Sequence, residues 1–300
     1  MYYAVIDIGS NTVKLSIYGV EDGSINLLLT QTETLGLAQY VVNGVMESEG
    51  VQRLIETLTL FQFIALKFVE RDNFMAFSTA ALRGSQNHNQ VIEQVRAATG
   101  ITIDLLSGEE EARLDFIGVT HQKPCGDAII LDIGGGSSEL VPVRDGQPGA
   151  MSSMPVGCLN LYQKYVRNAF PTEAEYCDIL KCVRSKLNAT PWTQGYTALQ
   201  LIGVGGTLRA LGKLTHRIMP EETDGVDIPV KTALELIRML RYHKPGMMDA
   251  VQKLSPDRVL TLIPGLVVLE VVVNQLRCEH IVISHYGARE GYLLNRLANR

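Results

Sequence analysis

An aspartate stands two residues before a glycine turn at two places in the chain, Asp7 before Gly9 in IDIGSNTVKL and Asp132 before Gly134 in LDIGGGSSEL. Glycine loses the most backbone freedom on folding, so the run Gly134, Gly135, Gly136 needs a reason. A bare turn after a strand lets successive backbone N–H groups face an anion. A carboxylate at a strand end beside such a nest is the arrangement needed to hold Mg2+ against phosphate oxygens. A single such turn reads equally well as a tight hairpin; two copies favour phosphate. A third strand–glycine turn, LIGVGGTLRAL, runs from Gly205, Gly206 and Thr207 into a helix, whose N-terminus can also face phosphate or a nucleotide. The triplet Glu109, Glu110, Glu111 in SGEEEAR reads by itself as first-turn acids stabilised by a helix dipole.

The elements that must position these residues follow from patterning. Strands are expected over 2–9, 12–20, 25–33, 74–79 and 101–107, and helices over 49–71, 87–99 and 108–121. Ser48 is the expected N-cap of the first helix, and Gly100 follows the end of the second. From residue 127 the order repeats, with DAIILDIG, SELVPVRDG and AMSSMPVG as strands, then helices 157–168 and 172–189, strand 199–205 and a helix from Gly206. Thr172 and Glu175 fit a capping box. Apolar helices are expected near 230–243 and 255–276, then strand 280–284 and helix 287–300. Placing Asp7 on Asp132, an offset of 125 residues, superposes Ile8-Gly9 on Ile133-Gly134, Leu15 on Leu140 and Lys14 on Glu139. Internal duplication into two similar α/β lobes is therefore expected, over 1–122 and 123–300, with the last helix (about 287–300) able to pack back on the N-terminal lobe.

Because each glycine turn joins two strands, neither is a dinucleotide fingerprint, in which the glycines open a helix. GTLRALGKL has the wrong spacing for a Walker A loop and Leu214 where a hydroxyl is needed. The net charge of −5, without a basic run, gives no support to nucleic-acid binding or to docking on a membrane. The most apolar window, 259–273, holds Pro264, Gly265 and Glu270 and reads as a buried helix. The five cysteines form no CxxC pair and the chain opens without a signal peptide, so a cytoplasmic location is expected.

Taken in order, IDIGSNTVKLSI, STAALR, SGEEEAR, ILDIGGGSSEL, MPVGCLNL, GVGGTLRAL and SHYGAREGYLL resemble the blocks of the exopolyphosphatase/guanosine pentaphosphate phosphohydrolase family. The resemblance covers nearly the whole chain. It implies two duplicated actin-like, ribonuclease H-like ATPase lobes with an interdomain cleft, and a Mg2+-dependent phosphohydrolase acting on polyphosphate or guanosine pentaphosphate. It places the water-orienting catalytic acid at Glu111, with Glu110 as runner-up, and a cleft-lining arginine at Arg83. Asp132 and Glu139 resemble the acids that hold Mg2+, and Asp7 is the matching acid of the other lobe. Gly9, Ser10, Asn11, Thr12 and 134–137 would present amides and hydroxyls to phosphate, and Lys14 is either a phosphate contact or a solvated lysine. Arg113 and Arg289 are not carried over as ligands. A phosphotransferase passing phosphate to ADP and a non-catalytic alarmone or polyphosphate sensor are the alternatives. The apolar helices near 230–243 and 255–276 could equally pack a core or a homodimer seam. Two departures from the family pattern, TLGLAQY (34–40) and Asn160 where many relatives have arginine, remove charge from regions expected near the polyanion.

Overall fold

The computed structural model describes residues 1–299. Its contacts divide the chain into two compact units, Met1–Glu111 with the chain from Tyr292 onward, and Ala112–Gly291. The first unit contains strands β1 (Tyr2–Ile8), β2 (Thr12–Glu21), β3 (Ser24–Thr34), β4 (Val41–Val42), β5 (Val45–Met46), β6 (Phe74–Ser78) and β7 (Ile103–Leu105). Five of them form one sheet in the order β3-β2-β1-β6-β7. β1 is antiparallel to β2 and parallel to β6, and its central place explains its nearly unbroken apolar sequence. Asp22 (φ 49°) and Gly23 (φ 78°) turn β2 into β3 in the left-handed backbone region that such hairpin turns require. Helices α1 (Ser48–Ala65), α2 (Ala80–Arg83), α3 (His88–Thr99) and the first turn of α4 (Gly108–Gln122) complete this unit. Ile6, Leu15, Leu54, Leu58 and Phe61 lie fully buried in its core.

Two local expectations change. Glu47, not Ser48, occupies the cap position of α1 without a side-chain cap, and the helix stops at Ala65, short of residue 71. Asn87 precedes α3 but its carboxamide accepts the Met46 N–H and donates to the Met46 carbonyl, both at 2.9 Å. The side chain thus acts as a strand partner for β5, whose hairpin with β4 turns at Asn43-Gly44.

The second unit contains β8 (Ala128–Ile133), β9 (Ser138–Arg144), β10 (Gln147–Pro148), β11 (Ser152–Met154), β12 (Gln200–Val204), β13 (Asp227–Pro229) and β14 (His280–Ile283). The path β11-β9-β8-β12-β14 has the order and directions of β3-β2-β1-β6-β7, and β13 extends the β14 edge. Asp145 and Gly146 repeat the left-handed turn of Asp22 and Gly23. The helices are α5 (Cys158–Tyr165), α6 (Glu173–Asn188), α7 (Gly205–Ile218), α8 (Val230–Arg241), α9 (Met247–Leu254), α10 (Leu262–Leu276) and α11 (Ala288–Ala298), the last entering the first unit at Tyr292. Thr172 and Glu175 cap α6 reciprocally. The segment expected as one helix over 255–276 is instead a short 3-10 turn, Pro256–Arg258, followed by α10. α10 is buried over most of its circumference in the core of its own unit, against α5, α6 and α8. Both units therefore carry the strand order of duplicated actin-like, ribonuclease H-like α/β lobes.

Candidate active site

The two glycine turns are built alike. Register pairs Asp7 with Lys14 across β1 and β2, and Asp132 with Glu139 across β8 and β9. The Gly9 N–H donates to the Thr12 carbonyl and the Gly134 N–H to the Ser137 carbonyl, each at 3.0 Å. A Cβ at Gly9 would lie 3.0 Å from the Thr12 oxygen and one at Gly134 would lie 3.1 Å from the Ser137 oxygen, so both turns are tight at the glycine. In the first unit the Gly36 and Ala38 N–H groups donate to the carbonyls of Asn11 and Ser10, at 2.8 and 3.1 Å. In the second, Cys158, Leu159 and Asn160 do the same for Gly134 and Gly135. The two segments that depart from the family pattern are thus the buttresses of the turns. Among the described residues, the N–H groups of Ser10, Asn11, Gly135 and Gly136 donate to no protein acceptor, the condition for an anion nest.

Arg83 and Glu111 come together in the first unit. Arg83 Nη1 donates to Glu111 Oε2 at 3.0 Å and to the Leu106 carbonyl at 2.9 Å. Backbone links carry this pair to the end of the sheet: Leu106 N–H donates to Ser78 O at 2.9 Å, and the buried Ser78 hydroxyl donates to Ile8 O at 3.1 Å, one residue before Gly9. The three consecutive acids have different environments. Glu110 accepts the Ser107 N–H at 2.7 Å while its own N–H donates to Ser107 Oγ at 3.1 Å, a capping box for α4. Glu109 is exposed, whereas Glu111 is 8% exposed. A buried carboxylate held by a guanidinium is fixed in direction, as a water-orienting base must be.

In the second unit two acids, Asp132 and Glu139, stand directly opposite each other across neighbouring strands, close enough for both to reach one cation. Glu139 is buried, and Ser153 on β11 donates its hydroxyl to Glu139 Oε1 at 2.7 Å. Gly205 adopts φ 86°, and a Cβ there would lie 2.2 Å from Asp132 Oδ1, so the third glycine turn passes directly against the acid. Gly206 similarly makes room for Arg258, whose Nη2 would lie 2.0 Å from an added Cβ. Arg258 is 8% exposed, and its Nη1 reaches Thr207 Oγ1 at 3.5 Å. A guanidinium at the N-terminal end of α7 opposes the helix dipole and suits an anion held between them. Nearby, burial and then the Arg289 charge hold the Arg209 guanidinium below the usual arginine range, with Asp132 acting in the opposite sense.

Two hard oxygen donors of this kind fit Mg2+, which binds through one or two carboxylates and completes its shell with water and phosphate oxygens. No cluster of three or more histidine, cysteine or acidic side chains that could hold a metal occurs among the described residues. In the first unit the matching acid, Asp7, faces Lys14 instead of a second carboxylate, so that turn carries its own cation. Arg258, Arg209 and Ser153 escaped the sequence reading. A lone arginine after Ser-Pro, or a serine in a short strand, reads as surface until the fold turns it inward. No helix among the described residues is long and apolar enough to cross a membrane.

Two α/β lobes of the same strand order, each with a glycine turn between its first two strands, define the class of fold. The Ppx/GppA phosphatase family model matches residues 16–300, and the chain belongs to that family, whose members include phosphoanhydride hydrolases. Over 312 residues the chain is 29% identical to exopolyphosphatase 1 of Mycobacterium bovis, covering 99% of this chain and 88% of that one. It is 26% identical to the guanosine-5'-triphosphate,3'-diphosphate pyrophosphatase of Photobacterium profundum, covering 99% of this chain but 59% of that longer protein. Among solved structures, an exopolyphosphatase from Cytophaga hutchinsonii superposes with a TM-score of 0.87 at 21% identity, over 100% of this chain and 98% of that one. The Aquifex aeolicus family member gives 0.81 at 23% identity, over 100% and 98%.

Proposed function

We propose that this chain is a Mg2+-dependent hydrolase that releases the terminal phosphate of inorganic polyphosphate, of guanosine pentaphosphate, or of both. The buried Glu111 carboxylate, held by Arg83 at 3.0 Å, is the observation that carries this reading. Hydrolysis of a phosphoanhydride needs an in-line water, stabilisation of charge on the transferred phosphoryl and little covalent chemistry. Glu111 orients the water and takes its proton; Arg83 fixes the carboxylate and meets phosphate oxygens. Asp132 and Glu139 would hold the metal, which when bound would supply positive charge to the phosphate oxygens. In the first unit the amides of Ser10 and Asn11, with Thr12 and Lys14, suit anionic phosphate oxygens, and in the second unit those of Gly135 and Gly136, with Thr207 and Arg258, do the same. The names of the relatives, one acting on polyphosphate and one on a guanosine nucleotide, support both substrate classes.

Transfer to ADP would need room for a nucleotide beside Gly205 and Thr207. The Arg258 guanidinium lies directly over Gly206, which favours an anion there over a base. Phosphate release is measured with long-chain polyphosphate, tripolyphosphate, guanosine pentaphosphate and ATP, with and without Mg2+ and ADP. The proposal expects Mg2+-dependent release from at least one of the first three, undiminished by ADP. Formation of ATP faster than free phosphate would contradict it.

A further inference from the structure

We infer that Asn160 is a positioning residue for the phosphate turn at 134–137, an inference that rests on reading that turn as the phosphate site. Its carboxamide is engaged on both sides. Oδ1 accepts the Gly157 N–H at 2.8 Å, while Nδ2 donates to the Gly136 carbonyl at 2.7 Å and lies 3.4 Å from the Pro155 carbonyl. Backbone N–H groups of the same segment take the two preceding carbonyls: Cys158 donates to Gly134 O at 2.9 Å, and Leu159 and Asn160 to Gly135 O at 2.9 and 3.1 Å. The segment reaches this close because Gly157 has no side chain; a Cβ there would lie 2.5 Å from the Gly135 carbonyl carbon and oxygen. From below, the buried Ser138 hydroxyl fixes the same loop through the Val156 carbonyl at 2.6 Å.

In a planar trans peptide the carbonyl of one residue and the N–H of the next point in opposite directions. Drawing the carbonyls of Gly134, Gly135 and Gly136 toward α5 therefore turns the N–H groups of Gly135, Gly136 and Ser137 away from it, onto one side. The first two peptides are set by backbone donors. The third, Gly136–Ser137, is set by the Asn160 side chain. Glycine resists such ordering more than any other residue, so without the clamp the turn would sample other peptide orientations and lose its nest. The first unit shows the same device at the corresponding turn, where Gly36 and Ala38 hold the carbonyls of Asn11 and Ser10.

The near-isosteric variant Asn160→Asp keeps the acceptor for Gly157 and replaces the donor to Gly136 with a second oxygen. Binding of the non-hydrolysable probe imidodiphosphate, with Mg2+, is followed in 15N-glycine-labelled protein and compared with steady-state hydrolysis of tripolyphosphate. In the wild type, the Gly135 and Gly136 amide resonances shift on binding. In Asn160→Asp the Kd and the KM rise at least tenfold, kcat falls by less, and the thermal midpoint stays near that of the wild type. If Asn160→Asp does not fold, Asn160→Ala carries the same comparison. A Kd within twofold of the wild type in the folded variant, or wild-type binding that leaves the two glycine resonances unmoved, would overturn the inference. Shifted glycine resonances in a wild type that releases no phosphate would instead refute the hydrolase reading while the clamp stands.

Discussion

Glu111 is separated from Glu109 and Glu110 by surroundings rather than by type. Glu110 closes the cap of α4, Glu109 faces solvent, and Glu111 is turned inward onto Arg83. Ser153, which donates to Glu139, supports a further prediction at this scale. Removing a hydrogen bond to a metal-binding carboxylate commonly weakens metal affinity by about 10–100-fold. Ser153→Ala should accordingly raise the Mg2+ concentration for half-maximal phosphate release about tenfold with little change in the saturated rate; an unchanged Mg2+ titration would argue against Glu139 as a ligand. The residue types in the glycine turns were readable directly. Arg258 was not, because its burial depends on the helix expected over 255–276 opening instead as a short 3-10 turn, Pro256–Arg258, that breaks before α10. Asn160 carried the opposite signal from its role, since a missing charge gave no hint of a carboxamide bridge to Gly136.

At the scale of elements, helix α6 offers a direct test of local stability. Thr172 and Glu175 cap it reciprocally, and the Thr172 N–H, ahead of the Thr172 hydroxyl, holds the Glu175 carboxyl below the usual carboxylate range. Thr172→Ala should destabilise the protein by about 1 kcal/mol, seen as a lower urea midpoint at neutral pH. A carboxyl with a depressed folded-state pKa stabilises fully above its unfolded value of about 4.3 and loses that contribution as pH falls through the folded value. Glu175→Gln removes that titration, so its deficit against the wild type should narrow below about pH 4; a deficit that widens in acid would contradict the capping role. Glycine at the turns is a sharper case. Gly134→Ala places a Cβ 3.1 Å from Ser137 O, a contact tighter than such atoms normally make, and should raise the KM for tripolyphosphate with only a small fall in stability. Strand order and the α6 cap were legible because periodicity and capping chemistry are local. The short β4–β5 hairpin and the true start of α1 were not, because Asn87 and Glu47 act through partners far apart in sequence or through backbone alone.

For the whole molecule, duplication is the organising fact. The offset of 125 residues that aligns Asp7 with Asp132 also aligns the closing hydrogen bonds of the two turns, Gly9 to Thr12 and Gly134 to Ser137. What differs between the copies is charge, Lys14 opposite Asp7 against Glu139 opposite Asp132, so one turn carries a cation of its own and the other a second acid. The chain carries a net charge of −5, so the proposed function requires a polyanion to be drawn by local arginines and Mg2+ rather than by the overall field. Raising ionic strength from roughly 0.05 to 0.3 M should therefore raise the KM for long polyphosphate only severalfold, because close, partly buried pairs are screened less than distant surface charges. A loss of binding by orders of magnitude would point to a broad basic surface instead. The central claim, that Glu111 drives the attacking water, is tested most directly by comparing Glu111→Gln with the wild type for tripolyphosphate binding and phosphate release at saturating Mg2+. Binding within a few-fold of the wild type, with release slower by about 10²–10⁴-fold, is the predicted result. Release by Glu111→Gln within a few-fold of the wild type would contradict it.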